Sequence, residues 1–484
     1  MIQARTKRVA RNKAWASGLS MMALVTVCLL LAAKPAHAAT FAVDRSDEPD
    51  PTTASACTEV ANDCSLRGAI IASNTATGAD AITVPTGTYT LTREGANEDA
   101  ASTGDLDVTG DLTITGAGAR VTSVAGGAAP FDDRIFDNRP GATTTMNGLT
   151  ITGGKPANDL GGGIINQGDL TLGKVAVKDN TARAAGGVFG DRGTLNLTDS
   201  TVSGNSAASD NANVGGVLQS GGTANITNST ISGNRAGQIN GGVAASGAAL
   251  VNIVNSTIAS NTSPRLGGGI VTAGPATLVT VKNTIVAANT RDNCDTAQLS
   301  GGIISSRGNN ISSDASCGFT QSTDKQNTNP RLGPLQDNGG PTDTRALLSG
   351  SSAIDAGTNT GCPATDQRGV RRPQGPRCDI GAFERPNSPP VARNDSYRGA
   401  EDKILRVPAR GVLRNDTDAD GDPLRATLVS RPKKGTLSLK PNGAFTYKPA
   451  RNFNGVVRFA YRAGDGRGGS DPATVTLRIK ARPG

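Results

Sequence analysis

The chain holds one histidine, His37, and one tryptophan, Trp15, and both stand within its first 38 residues. Whatever follows that segment is therefore excluded from Ser-His-Asp catalysis, Cys-His catalysis and His-ligated zinc. Aromatic residues make up only 3% of the sequence, and Tyr89 is the one tyrosine before Tyr397. Sugar-cleaving grooves commonly stack rings on such side chains, so their scarcity counts against one here. A pair of glycosidic carboxylates needs neither residue type and survives both tests. No apolar tail follows the final A-T-V-T-L-R-I-K-A-R-P-G, so surface retention is expected to be non-covalent or partner-mediated.

The long apolar run lies at the start. Arg5, Lys7, Arg8, Arg11 and Lys13 precede an apolar stretch from Leu19 to Ala33, and Ala36-His37-Ala38 supplies a small-x-small cleavage signal. Residues 1–38 are expected to be a signal peptide rather than a retained membrane anchor, which leaves no membrane span in the mature chain. Cys28 leaves with that leader. Cys57, Cys64, Cys294, Cys317, Cys362 and Cys378 remain, and an even number in an exported chain reads as disulfides. Proximity favours 57–64, 294–317 and 362–378 among the roughly fifteen possible connectivities.

Charge divides the chain. Residues 39–384 carry 23 Lys/Arg against 32 Asp/Glu, whereas residues 385–484 carry 20 against 9. An acidic body and a basic tail read as two units. In an exported protein the basic unit fits an extracellular glycan, an envelope polymer or a surface protein better than nucleic acid, with an Arg-rich solvated surface as the plain alternative.

What the body has in abundance is repetition. Gly-Gly pairs recur at 162, 186, 215, 241, 268 and 301. Between them run L-T-L-G-K-V-A-V-K-D-N, L-N-L-T-D-S-T-V-S-G-N, A-N-I-T-N-S-T-I-S-G-N, V-N-I-V-N-S-T-I-A-S-N and V-T-V-K-N-T-I-V-A-A-N. Val177, Val202, Ile231, Ile258 and Ile285 form one expected column; Leu172, Leu197, Ile226 and Ile253 form a second. Asn180, Asn205, Asn234, Asn261 and Asn289 form a third. A coil of about 25 residues with three short strands stacks β-branched residues above one another, with parallel strands roughly 4.8 Å apart. Stacked asparagines can bond along the axis. The glycine pairs are expected to supply positive φ at the bends. A β-propeller would need longer antiparallel blades, and leucine-rich repeats a leucine consensus that is missing.

Before the repeats, Leu66, Ala69, Ile70 and Ser73 fall on one helical face, followed by strand-like A-I-T-V-P and T-Y-T-L-T. An amphipathic helix there would cap the open edge of the first coil. The stretch Asp63 to Ile71, with Asp80-Ala81-Ile82 and Gly87-Thr88-Tyr89-Thr90-Leu91, resembles the CSLREA domain that begins exported bacterial β-helix proteins; Gly68 stands where that family has Glu. Residues 329–384, with S-S-A-I-D-A-G, D-Q-R-G-V-R-R-P and C-D-I-G-A-F-E, resemble the choice-of-anchor region that ends such solenoids. The resemblance implies export and the β-helix fold, and hardly anything about activity.

Past Pro386-Asn387-Ser388-Pro389-Pro390, a stiff linker, six short alternating segments indicate an antiparallel β-sandwich. It is similar to cadherin-like or Ig-like adhesin modules. Asp416, Asp418, Asp420 and Asp422 alternate around Gly421. Carboxylates at every second position can converge on a hard cation such as Ca²⁺. The cadherin resemblance adds Glu401, Asp402 and Asp465 to that site. The absence of Glu at the twelfth position excludes an EF-hand, and a metal-free Asp-rich turn is the competing reading.

The expected fold is all-β: a right-handed parallel β-helix (solenoid) with an N-terminal helical cap, followed by a small antiparallel β-sandwich. Its parts are a signal peptide (1–38), a cap region (39–100), coils (101–328), a terminal solenoid region (329–384), a linker (385–390) and the sandwich (391–480). The expected function is a non-catalytic surface or extracellular stalk with a C-terminal binding module. A polysaccharide lyase or hydrolase acting on an acidic glycan is the alternative. Its candidate residues are Asp132, Asp133, Arg134 and Asp137, expected in a solvated loop, and Asp179, Asp191, Asp199 and Asp210 among the early coils. Asp179 aligns with Gly204, Gly233 and Ser260, so it reads as a turn residue rather than one of a catalytic pair.

Overall fold

The structure is a computed structural model that describes residues 38–48, 57–58, 60–95, 98–129, 131–157, 159–207, 214–296 and 301–482. The expected signal peptide and Asp210 lie outside the described residues. Helix α1, Leu66–Thr75, opens behind Ser65, whose hydroxyl accepts from the Gly68 N–H as an N-cap. Leu66, Ala69, Ile70 and Ser73 are buried on its inner face, as the spacing predicts, and Arg67 is buried with them. The strand Thr40–Ala42 then pairs with Ala79–Val84 at the amino-terminal edge of the first sheet.

Three parallel sheets of ten, eight and nine strands form a right-handed solenoid. Each regular coil places one strand in each sheet. Val188–Asp191 lies in the second, Thr194–Thr198 in the first and Thr201–Ser203 in the third. Leu172, Leu197, Ile226 and Ile253 pair in register as expected, and Val281 extends the column. The other apolar column needs one correction. Ile258 stacks on Val286, while Ile285 sits opposite Thr257. The fifth repeat carries an extra-apolar Ile-Val pair, and Ile285 turns outward into a second cluster with Leu347, Ala353, Ile380 and Phe383.

The asparagine column is a continuous ladder. Nδ2 of Asn180, Asn205, Asn234 and Asn261 each donates to Oδ1 of the next asparagine at 2.9–3.0 Å, ending on Asn289. All are buried, so these bonds satisfy amides that no water reaches. The glycine pairs beside the ladder act differently from expectation. None of the pairs at 162, 186, 215, 241 and 268 has positive φ, whereas Gly301 of the sixth pair does. A Cβ on Gly187, Gly216 or Gly242 would instead stand 2.4–2.6 Å from the carbonyl oxygen of the next coil's glycine. The pairs are small because successive backbones nearly touch there and the asparagine amides fill the remaining space. Positive φ belongs to a separate turn column, Asp179, Gly204, Gly233, Ser260 and Ala288. Gly301 does not continue the pair column, because Gly269 faces Asn293.

Residues 329–384 add no further coil. They fold back along the outer face of the third sheet, with one antiparallel strand pair, Leu332–Gln336 and Thr344–Leu347. Threonines of that face receive them: Thr201 Oγ1 donates to the Asp343 carbonyl at 2.6 Å, and Thr257 Oγ1 accepts from the Ala382 N–H at 3.1 Å. Beneath lies a buried charge network in which Arg372 Nη1 donates to Glu384 Oε2 at 3.1 Å. Burial, reinforced by Glu384, pushes the Asp379 carboxyl up to about 7. The three expected disulfides, Cys57–Cys64, Cys294–Cys317 and Cys362–Cys378, are formed. The carboxyl-terminal unit is a sandwich of a four-stranded and a three-stranded sheet. Its first strand, Asp395–Ala400, pairs in parallel with its last, Ser470–Lys480, against the wholly antiparallel expectation.

Candidate functional site

The alternating aspartates sit in the turn that leads to strand Arg425–Ser430. Asp418 Oδ1 accepts from the N–H groups of Asp420 (2.9 Å) and Asp422 (3.0 Å), which folds the loop around its own carboxylate. Asp418, Asp420 and Asp422 each bring an oxygen within 4.8 Å of the others. Asp416 does not join them. It is buried, accepting from the Arg393 N–H (2.8 Å) and the Tyr461 hydroxyl (2.8 Å). Asp465 accepts from the Arg467 and Gly469 N–H groups and from Asn387. Glu401 accepts from Asn454 and the Arg482 N–H, and Asp402 from the Asn452 N–H. Of the seven predicted ligands, three converge.

One of the three, Asp422, meets two cations that sequence reasoning passed over. Arg385 Nη1 donates to Asp422 Oδ1 at 3.0 Å, and Arg467 Nη1 to Asp422 Oδ2 at 3.4 Å. Arg467 also reaches Asp355 in the terminal solenoid region (3.0 Å) and the carbonyl of Arg385 (3.0 Å). Ser388 N–H bonds Asp420 Oδ2. The supposed spacer at 385–390 is thus a packed joint, and the Asp turn is part of what fastens the sandwich to the solenoid. Only Arg385 standing beside a proline-rich stretch hinted at it.

Strand alternation builds a second feature. Val475, Leu477, Ile479, Val457, Phe459, Tyr461 and Ala463 point inward from the four-stranded sheet and are buried. The opposite parity carries Arg398, Arg425, Arg458, Arg462, Arg478 and Lys480, all exposed. No Asp or Glu occupies an outward position on these strands. Arg398 pairs directly with Arg478. None of the six forms an ion pair among the described residues; Arg462 donates to Ser470 Oγ at 3.1 Å. On the other sheet, Arg406 and Lys440 line a shallow groove of about 430 Å³ with Phe445 and Ser438. Overall charge signalled a basic unit; the concentration on one face needed the pleat.

The catalytic candidates do not assemble on an open face. Asp132 is exposed, but Asp133, Arg134 and Asp137 are buried, contrary to the solvated loop expected. Residues 98–105 lie over them. Asp179 and Asp199 hold left-handed turn positions, and Asp191 is half-buried at the end of its strand. A groove of about 420 Å³ does run along the third sheet, lined by Thr150, Thr152, Thr201, Ser203, Lys178 and Asp179. Its Arg120 is engaged by Asp337 and Asp343 at 2.9 Å each.

Fold and site together define a parallel β-helix joined to an Ig-like sandwich. Residues 387–478 match the family of bacterial Ig domains. Among solved structures the chain is similar to the pectate lyase Pel9A, with a TM-score of 0.44 and 16% identity over 72% of this chain and 96% of that one. That distance carries nothing about chemistry. No curated protein matches the sequence. Among the described residues no helix is long and apolar enough to cross a membrane.

Proposed function

We propose that this is an exported, non-catalytic surface or extracellular protein, a β-helix stalk whose Ig-like module binds an anionic extracellular glycan or envelope polymer in adhesion or matrix contact. The basic face of the four-stranded sheet carries this reading. Like charges placed directly opposite in a sheet cost stability, so six unpaired cations on one face are better explained by a polyanion than by the fold. The leader pattern and the resemblance to CSLREA and choice-of-anchor proteins support export, as do the disulfides. Ca²⁺ at Asp418, Asp420 and Asp422 would stiffen the joint in the same setting.

The test is retention of the full chain on immobilised anionic and neutral glycans. Anionic polymers should hold it, increasingly weakly as salt rises. A triple variant, Arg398→Ser, Arg458→Ser and Arg478→Ser, should lose at least about tenfold in affinity, at roughly 1.4 kcal/mol per tenfold. Undiminished retention of that variant would remove the basic face from the account. The second reading, a polysaccharide lyase or hydrolase, is favoured by the hydroxyl-lined groove on the third sheet. It requires the polymer to shorten during incubation, whereas a binding module leaves its length unchanged.

A further inference from the structure

The segment from Glu98 to Asp105 crosses the outer face of the second sheet at its first two strands. It is anchored from the cap. Buried Arg67 on α1 donates to the carbonyl oxygens of Ala101 (2.8 Å), Thr103 (3.2 Å), Gly104 (2.6 Å) and Asp105 (2.8 Å). Beneath the loop, strands Leu106–Val108 and Phe136–Asn138 pair with Asp107 opposite Asp137. Asp105, one pleat earlier, faces the same way. One oxygen from each of Asp105, Asp107 and Asp137 lies within 4.8 Å of the others. These residues are 3%, 0% and 3% exposed.

Stacked carboxylates at the outward positions of paired strands repel, and removing them from water raises the cost. Asp133, also buried, adds a fourth acid; it accepts from the N–H groups of Arg134 (2.8 Å) and Asp105 (3.3 Å). Two guanidinium groups face this cluster. Arg134 Nη1 lies 3.2 Å from Asp105 and 3.4 Å from Asp137, but its Nη2 is engaged by Asp159. Arg139 Nη1 lies 3.0 Å from Asp137 and 3.9 Å from Asp107, and it is shared with Asp99 at 2.9 Å. Both cations thus serve outside acids as well, which leaves the pocket short of positive charge. Among the described residues two buried oxygens, Asp107 Oδ1 and Asp137 Oδ1, accept no hydrogen bond, and the first has only the distant Arg139 Nη1 at 3.9 Å. Buried carboxylate oxygens without donors are costly unless something else meets them.

We propose that Asp105, Asp107 and Asp137 hold a hard divalent cation of calcium size, which fastens the 98–105 loop to the first coils. The donors are all oxygen, which suits calcium or magnesium rather than zinc or copper. Calcium–oxygen distances of about 2.3–2.6 Å place opposing ligands up to roughly 5 Å apart, a span this cluster matches. The role is structural: the pocket is closed to any large ligand by the loop itself. It is separate from the Asp turn at the joint. The competing way to neutralise the pocket is protonation, since burial, opposed by the Ala101 N–H and reinforced by Asp137, pushes the Asp107 carboxyl up to about 7.

The test takes the full chain through calcium-containing buffer and exhaustive dialysis at constant pH, then measures metal content and thermal unfolding with and without chelator. At least one calcium per chain should be retained, a second one where the Asp418 turn is also filled, and chelation should lower the melting temperature. Asp418→Asn should keep one ion and the response to chelator, while Asp107→Asn and Asp137→Asn should each hold one ion fewer than the wild type. The wild type and Asp418→Asn suffice if the other variants do not fold. A wild type that retains no ion and ignores chelator overturns the proposal, because shared protons then neutralise the pocket. An ion lost in Asp418→Asn but kept in Asp107→Asn overturns it too, by assigning the metal to the joint.

Discussion

Arg398 and Arg478 stand directly opposite each other in the parallel pair formed by the first and last strands of the sandwich, both exposed and with no carboxylate on their face. Such a pair opposes folding. Arg398→Ser should therefore stabilise the sandwich by about 0.2–1 kcal/mol at low ionic strength, with the gain shrinking as salt screens the repulsion. Urea unfolding at two salt concentrations measures it. The same change should weaken retention on a polyanion, so stability and binding move in opposite directions.

The asparagine ladder should be intolerant of gaps. Asn234 Oδ1 accepts from the backbone N–H (3.1 Å) and Nδ2 (2.9 Å) of Asn205, while its Nδ2 donates to Val202 O (3.0 Å) and Asn261 Oδ1 (2.9 Å). Asn234→Ala removes all four bonds and leaves the buried Asn205 N–H without its acceptor, although Asn205 Nδ2 keeps Val177 O and Asn261 Oδ1 keeps the N–H of residue 234. An unmatched buried group costs about 1–3 kcal/mol where water cannot enter. A loss of at least about 3 kcal/mol is expected in chemical denaturation of the full chain. A cost below 1 kcal/mol would mean the coil relaxes around the gap.

At the joint, Arg467 binds Asp355 on one side and Asp422 on the other. Arg467→Ala should release the sandwich as a separately moving body without lowering its own melting temperature. Small-angle scattering should report a larger radius of gyration, and proteolysis should open at 387–390. An unchanged radius would show that Arg385 and the Ser388–Asp420 bond hold the joint without it.

The sandwich should lose stability with rising pH across a defined window. Burial, reinforced by Asp416, pushes the Asp395 carboxyl up to about 7, whereas an unfolded aspartate ionises near 3.9. Between roughly pH 4 and 7 the folded state keeps a proton that the unfolded state has lost, so the stabilisation present at low pH disappears as pH climbs through 7. Three of the four tyrosines, Tyr397, Tyr447 and Tyr461, lie in the sandwich, so tyrosine fluorescence follows its unfolding. Asp395→Asn should flatten the slope in that window.

Much of the solenoid was legible because a coil reports its own neighbours. Position-matched Leu197, Ile226 and Ile253 must stack if successive coils have equal shape, and the Asn column follows by the same rule. The column was misread where the repeat changed. The Ile285-Val286 pair offered two apolar candidates for one slot; the spacing of three residues to Asn289, the same as Val177 to Asn180, selects Val286, and Ile285 is left to pack against residues 329–384. Glycine identity was visible too, but its reason was not: a close approach between coils and a left-handed turn both demand a missing Cβ.

The candidate sites divide along the same line. Asp418, Asp420 and Asp422 are neighbours in sequence, and local turn chemistry alone brings them together. Arg385, Asp355 and Arg467 are up to 112 residues apart and meet only because the sandwich docks on the terminal region. Asp105 and Asp107 look like ordinary solvated residues of an acidic body until the Arg67-anchored loop buries them against Asp137. By itself the sequence determined the repeat, the parallel ladders and the basic second unit, since these follow from periodicity and composition. Tertiary structure alone decided which charges are buried, which are shared and which face outward. Burial and charge compensation depend on what another part of the chain places over a residue, and local pattern does not encode that.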